Sequence, residues 1–272
     1  MKGRIEYLRT IGAGELSGHR LWEAVLRRVR DLPHLGAWHL SGKARRSRAG
    51  MATFLNRHRG ERCVIVANGP SLKQTPLHLL EGETIIGMNR VHLLKREFGF
   101  LPDYAVVSDI VSQLQHIADD LADLDIPKFV NWNGRAMVTR GDFYYFKTKF
   151  RPRFSLDFPT GIYGGHSVTY ASLQLAYHMG FTEVVLVGKD HSYAVSGRPT
   201  APIKSDGQEK NHFAAGYYSP GQLWRIPDYK GEEMAYAMAR EAFEVDGRRV
   251  LDATVGGHLE VFPKVELAAA LG

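Results

Sequence analysis

The run Cys63-Val-Ile-Val-Ala67 is unbroken apolar sequence and stops at once in Asn68-Gly69-Pro70-Ser71. Parallel strands covered on both faces have this continuous hydrophobic character. A tight turn at the carboxyl end of such a strand is where open α/β sheets bind ligands. Asn68 and Gly69 allow close approach of backbone, Pro70 sets the turn, and the Ser71 hydroxyl is placed to meet a phosphate oxygen. The spacing fits neither a Gly-x-Gly-x-x-Gly dinucleotide fingerprint nor a P-loop. The competing reading is an ordinary strand-to-helix turn.

Further short apolar runs occur at Thr84–Met88, Tyr104–Ser108, Lys128–Asn131, Glu183–Val187 and Arg249–Ala253. Helical periodicity lies between several of them: Leu114, Ile117, Leu121 and Leu124, then Val168, Ala171, Leu175 and Met179, then Met234, Met238 and Ala242. The alternation predicts a Rossmann-like α/β fold, with a mostly parallel sheet and helices on both faces. Residues 194–232 interrupt the rhythm and are rich in Gly, Pro, Ser, Asp and Tyr, which predicts a mobile lid or small insertion. The expected organisation is a basic helical extension over residues 1–60, then a nucleotide-binding domain over 61–272 carrying that lid.

Charge is unevenly distributed. Residues 1–62 carry 14 Lys+Arg against 5 Asp+Glu, and the remainder 21 against 24. Arg20, Arg27, Arg28, Arg30, Lys43, Arg45, Arg46 and Arg48 supply most of the excess, interleaved with Trp22, Leu26, Leu32, Leu35, Trp38 and Leu40. Such a segment suits peripheral contact with an anionic membrane, or a helical flank that packs on the domain with a solvated basic face. No specific nucleic-acid partner is expected. No apolar run reaches the roughly 20 residues of a membrane span, and the first residues lack the apolar core of a signal peptide. The single cysteine, Cys63, precludes an internal disulfide. The expected location is the cytoplasm, with the inner membrane face as a peripheral site, and a homo-oligomer is compatible with the chain.

Polar residues gather at predicted strand ends: Asn68 and Ser71, Asn89, Ser108 and Asp109, and Gly188 with Asp190, His191, Ser192 and Tyr193. In a parallel sheet these ends share one edge, although each residue type is also common in turns. Thr160-Gly161-Ile-Tyr-Gly164-Gly165-His-Ser167 is a second candidate anion site, because it opens into a periodic helix whose free N–H groups suit phosphate. Simple capping by Thr160 or Ser167 is the alternative.

Several of these segments match a known group. Val64–Leu72 resembles the nucleotide-binding turn of the bacterial sialyltransferases of glycosyltransferase family 42, and Gly87-Met-Asn89 their second-strand asparagine. Thr160-Gly-Ile-Tyr163 and the strand ending in Gly188-Lys-Asp190 resemble their Thr-Ser-Gly-Val-Tyr helix and Gly-x-Asp strand end. Asn211-His212-Phe213 resembles the segment with their catalytic histidine. The pattern over residues 60–265 is shared with domain-of-unknown-function-115 proteins, flagellin-modifying motility-associated glycosylation factors, and archaeal 6-hydroxymethylpterin diphosphokinase-like proteins. Three departures stand out: Phe158-Pro159 in place of an arginine; a missing serine in the turn at Thr160-Gly161, with Gly164-Gly165-His166 in place of bulkier residues; and Asp109 where a sugar-binding asparagine is expected. A different acidic sugar donor or a different acceptor accounts for all three.

The resemblance implies an inverting glycosyltransferase that uses a CMP-linked nonulosonic acid and a glycan or glycoprotein acceptor. His212 would be the base. Tyr193, with Tyr217 or Tyr218, would bond the departing phosphate. Asn68, Gly69, Pro70, Ser71, Asn89, Asp109, Thr160, Gly161 and Gly188 would hold the nucleotide, and Asp190 would order the strand-end turn or orient a histidine. No cofactor or metal is expected on this reading. An ATP-dependent pterin diphosphokinase-like pyrophosphoryl transferase is the alternative, and it would need Mg²⁺ with Asp109 and Asp190 as candidate ligands; its His-Gly-Asp-Asn-type element has no counterpart here. A non-catalytic nucleotide or polyanion-binding module is the third reading.

Overall fold

The computed structural model describes residues 18–272. Residues 1–17, the first part of the basic segment, and the side chains of Arg20 and Arg27 lie outside the described residues. Six of the seven strands of the main sheet fall on the apolar runs: β1 Arg62–Val66, β2 Thr84–Met88, β3 Tyr104–Val107, β4 Lys128–Asn131, β8 Glu183–Val187 and β11 Arg249–Asp252. The seventh, β5 Phe143–Phe146, is a short aromatic run the periodicity did not single out. The order is β11-β8-β1-β2-β3-β4-β5, and every pairing is parallel. The fold is therefore the expected Rossmann-like α/β type. Two-residue strands β6 Thr148–Lys149 and β7 Ile162–Tyr163 pair beside it.

Alternation along β1 sorts the core into two layers. Cys63 and Ile65 join one apolar cluster, Val64 and Val66 the other. The first layer is covered by α2 (Gly42–Ala52), α4 (Gln115–Ala122), α5 (Val168–Met179) and α6 (Tyr229–Val245). The second is covered by α3 (His92–Phe98), the terminal α7 (Leu267–Leu271) and residues Phe213–Trp224. The α5 helix is buried nearly all round, as suits a helix crossing a sheet centre. Its Gln174 is fully enclosed and fully bonded: it accepts from the amides of Ser155 and Tyr163 and donates to the carbonyls of Tyr163 and Tyr170. That side chain fixes the loop leading into the glycine-rich turn. Cys63 is free and buried, and burial pushes its thiol well above its ordinary value.

The basic segment is anchored from Asp31 onward. In α1 (Gly18–Leu40) Trp38 packs edge-on against Trp132, with centroids 5.3 Å apart, and Asp31 pairs with buried Lys147 at 2.6 Å. Phe54 sits among Tyr104, Phe129 and Tyr144. Thus residues 38–54 share the core of the domain they precede, while Arg30, Arg45 and Arg46 face solvent. On the side of α1 away from Asp31 and Trp38, the apolar residues Trp22, Val25, Val29 and Leu32 are exposed. No described helix is long and apolar enough to cross a membrane.

Candidate active site

After β5 the chain returns to the far side of β1 to lay down β8, so the strand order reverses between β1 and β8. A crevice forms where the carboxyl ends diverge at such a reversal. Here it is a cavity of about 400 Å³, walled by the ends of β1, β2, β3 and β8, by the start of α5, and by residues of the 194–232 segment. Ten of the fourteen expected site residues line it: Asn68, Gly69, Asn89, Asp109, Gly188, Asp190, Tyr193, His212, Tyr217 and Tyr218. Pro70, Ser71, Thr160 and Gly161 do not.

The β1 and β8 turns are clasped together. The Gly69 amide donates to the Gly188 carbonyl at 2.9 Å. Asp190 receives the Ser71 amide at 3.1 Å and the Ser71 hydroxyl at 2.7 Å. This corrects the expectation for Ser71: its donors hold the turn shut and are not directed at a ligand. Asp190 orders the strand-end turn, one of its two anticipated roles. Pro70 opens the short 3-10 turn Pro70–Lys73, where its missing N–H costs nothing. A Cβ on Gly69 would lie 1.8 Å from the Asp190 carboxylate and 2.6 Å from the Gly188 carbonyl, so a larger residue there breaks the clasp itself.

What the turn offers a ligand is Asn68. Its Oδ1 is buried without a hydrogen-bond partner, as are Asn89 Oδ1 and the Tyr217 hydroxyl, all three at the cavity wall. Buried polar atoms are nearly always bonded, so these three are the candidate contacts for a ligand in this cavity. Asn68→Ala leaves the Asp190–Ser71 clasp intact. It is expected to weaken binding of the cognate nucleotide about tenfold, the worth of one hydrogen bond to a desolvated partner. Isothermal titration measures this, and unchanged affinity would remove Asn68 from the site.

His212 stands in an aromatic wall. Its ring stacks on Tyr217 at 3.8 Å and meets Tyr193 and Tyr218 edge-on. Its Nδ1 is 2.9 Å from Glu209 Oε1, leaving Nε2 for a ligand. Both side chains are only 6% exposed. Burial pushes the imidazole below its ordinary value of 6.5, against the raising effect of Glu209, so the ring is neutral at pH 7. Burial would raise Glu209, but its bonds to His212 and to the Asn211 and His212 amides outweigh that and hold it ionised. The hydroxyls of Tyr193, Tyr217 and Tyr218 are held well above 10.0 by burial, so they act as neutral donors.

This wall is tied to the sheet. The Phe213 amide donates to the Asn68 carbonyl at 2.9 Å. Arg90, after β2, lies over the rings of Tyr217 and Tyr218 and donates to Gln113 and Gln222. Gln113 donates to the Tyr218 hydroxyl at 2.8 Å. Gln113 lies in a single π-turn, Ile110–Leu114, capped by Asp109 through the Ser112 amide; such turns recur at functional sites. The expected lid is thus a packed cap, with Phe213, Tyr217 and Trp224 inside the second core layer and a hairpin of β9 (Pro202–Lys204) and β10 (Leu223–Arg225).

On the opposite wall Lys189 pairs with Glu232 of α6 at 2.8 Å. Burial would raise the Glu232 carboxyl; the ammonium and His191 outweigh it and hold it at about 2. Lys189 is correspondingly held above its ordinary value by Glu232 despite burial. His191 lies between Glu232 and Glu233, and His166 is 3.4 Å from Asp228. The cap of α5 is Ser167, whose hydroxyl accepts from the Thr169 amide and from Tyr236. Residues Ser167–Thr169 line the cavity; Thr160 bonds back to Asp157, and Gly161 lies against Lys147. Of the second candidate anion segment, the part that reaches the cavity is the helix start, seven residues beyond Thr160. Of five described non-glycine residues with positive φ, four (Asn89, His166, His191 and Thr200) line this cavity. That conformation costs about 1 kcal/mol or more each, and such strain clusters at functional sites.

A family model described as 6-hydroxymethylpterin diphosphokinase MptE-like matches residues 43–196. The chain belongs to this MptE-like family. No curated protein matches it. A diphosphokinase moves a pyrophosphoryl group, so membership marks a transferase-type enzyme. The matched span contains the turn at Asn68–Ser71, the clasp with Asp190, and Tyr193. It ends before Glu209, His212, Tyr217 and Tyr218, so the base candidate and most of the aromatic wall lie beyond it.

Sequence reading missed several residues in or around this cavity: Glu209, Gln113, Arg90, Lys189, Glu232, Asn131 and Thr148. Asn131 donates to the Ser108 carbonyl and to Thr148, fixing the β3 and β4 ends. Glu209 alone left a local trace, three residues before His212.

Proposed function

We propose that the chain transfers a group from a nucleotide-activated donor to an acceptor hydroxyl, with His212 as general base. The observation that carries this reading is the Glu209–His212 pair: a neutral, oriented imidazole buried at the cavity where the strand order reverses. A neutral imidazole with one nitrogen oriented by a carboxylate and the other directed to the cavity suits proton removal from a hydroxyl. The donor we favour is a CMP-linked nonulosonic acid, and the acceptor a glycan or glycoprotein. The acceptor oxygen attacks the anomeric carbon, the bond to the CMP phosphate breaks on the opposite face, and the acceptor proton passes to His212 Nε2. The phosphate departs with the electron pair of the broken bond. Neutral donors at the cavity support this: the Tyr217 hydroxyl and the free amides at the start of α5 suit one departing phosphate. Asp190 acts as a positioning residue through Ser71.

Two observations favour the second reading, pyrophosphoryl transfer from ATP. One is the family description. The other is charge: Asp109, Asp190, Asp228 and Glu232 line the cavity against Lys189 and Arg225, so a triphosphate would require an accompanying cation. Among the described residues no three carboxylate, imidazole or thiol groups converge on a metal-sized point. A Mg²⁺ ion would therefore be held mainly by nucleotide phosphates and water, with Asp109 or Asp190 supplying one carboxylate.

Thermal shift with CMP, CDP, UDP, GDP and ATP, each with and without Mg²⁺, separates the readings. Stabilisation follows binding to the native state, about 2.7 kcal/mol at a hundred times Kd. CMP acting without metal supports glycosyl transfer; ATP acting only with Mg²⁺ supports pyrophosphoryl transfer. Binding with no turnover of CMP-nonulosonate or ATP in the presence of acceptors would leave a binding module.

A further inference from the structure

A second cavity, of about 430 Å³, abuts the first and shares Thr148, Gly164 and His166 with it. Its charge is the reverse of its neighbour's. Arg28, Lys149, Arg151 and Arg153 line it, and among the described residues no carboxylate does. Arg151 and Arg153 are exposed and have no ion-pair or hydrogen-bond partner for their guanidinium groups among the described residues. Lys149 lies over the Tyr163 ring at 5.5 Å, and burial lowers its pKa. The rest of the wall includes Thr148 and His166 on the shared side and an apolar stretch of Phe150, Met234, Ala235 and Met238. Met234 and Met238 stand one turn apart on α6, facing Tyr163 and Tyr170.

Two guanidinium groups, two positions apart and unpaired among the described residues, are forks that match phosphate oxygens, which they bind by charge-assisted hydrogen bonds. Methionine walls adapt to irregular apolar bodies. The two joined chambers differ in charge: the first sets four carboxylates against Lys189 and Arg225, whereas the second presents cations alone among the described residues, so a free anionic end is drawn more strongly to the second. The α6 helix serves both, since Glu232 faces the first cavity while Gly231, Met234 and Met238 face the second.

We infer that the second cavity binds the acceptor, and that this acceptor carries a phosphate group on an apolar body. The phosphate lies at Arg151 and Arg153, the apolar body lies along Met234 and Met238, and the far end passes the shared wall at His166 toward the first cavity. The assignment to the acceptor rests on the transferase reading above; the binding of a phosphate amphiphile does not.

Octyl phosphate is the probe, with octyl glucoside as the uncharged control, both titrated calorimetrically into the full chain. Octyl phosphate is expected to bind at least about tenfold tighter, the effect of a charge-assisted bond. The double variant Arg151→Ala/Arg153→Ala, at exposed positions that leave the core intact, should lose that preference. Met238→Glu should weaken binding of both probes. Nucleotide affinity should stay within about twofold in the double variant, and saturating nucleotide should leave octyl phosphate binding unchanged. Equal affinity for the two probes, or an unaltered double variant, would overturn the site. Competition between octyl phosphate and nucleotide would overturn the acceptor assignment, because the cavity would then hold the donor's phosphates. Non-competitive, arginine-dependent binding in a protein that shows no turnover would uphold the site while refuting the transferase reading.

Discussion

Replacing His212 with alanine is expected to lower turnover of the cognate donor by roughly 10²–10⁴-fold, the range for removing a positioned base. Nucleotide affinity should change little, because on the proposed reading His212 meets the acceptor while Asn68, Asn89 and the Tyr217 hydroxyl meet the donor. The wild-type rate has a definite sign with pH. Burial lowers the imidazole below 6.5, so the neutral base persists through neutrality and is lost only on acidification below that value. His212→Ala should lack this acidic limb. Glu209 raises the His212 pKa, so Glu209→Gln should move the limb to lower pH and reduce turnover about tenfold through weaker stabilisation of the imidazolium. His191 and His166 are the competing bases. Both are flanked by carboxylates, and His191 is enclosed between Glu232 and Glu233. A normal rate in His212→Ala with an inactive His191→Ala would move the base to the β8 end.

Lys189→Met is expected to destabilise the fold by about 3–5 kcal/mol, since it strands a buried carboxylate. Glu232 has a side chain 7% exposed, and the ammonium is its main compensation. The double variant Lys189→Met/Glu232→Gln should recover most of the loss, because no uncompensated charge then remains. Acid behaviour gives an independent check. The depressed Glu232 carboxyl contributes stability above its ordinary 4.5, and that contribution is lost as pH falls toward about 2. In Lys189→Met the carboxyl can take up a proton earlier, so the gap between variant and wild type should narrow between pH 7 and pH 4. Urea denaturation at the two pH values measures it. Equal midpoints at pH 7 would show that solvent already compensates Glu232.

The fold was readable because burial on both sides forces unbroken apolar strands, and six of the seven announced themselves in this way. Phe143–Phe146 escaped because four aromatic residues between Asp142 and Lys147 carry no period of their own. The strand-end polar residues were readable for a topological reason: a parallel sheet brings its carboxyl ends to one edge whatever the intervening loops. Side-chain partners were not readable. Ser71 looked available because Asp190, 119 residues away, is not visible as its neighbour. Lys189 and Glu232 are separated by 43 residues, and neither stands out alone. Thr160 and Ser167 were equally good caps on composition, and only the start of α5 at Val168 chooses between them.

The hydrogen bond from the Phe213 amide to the Asn68 carbonyl has a bearing on the catalytic cycle. It joins the residue after the proposed base to the residue proposed to meet the nucleotide. Any motion that lifts this stretch of cap away from β1 must break that bond and draw Phe213 and Tyr217 out of the second core layer. Escape of the spent nucleotide past the cap and withdrawal of the base would then be one movement, and the enzyme could not reset one half of its machinery while the other remained engaged.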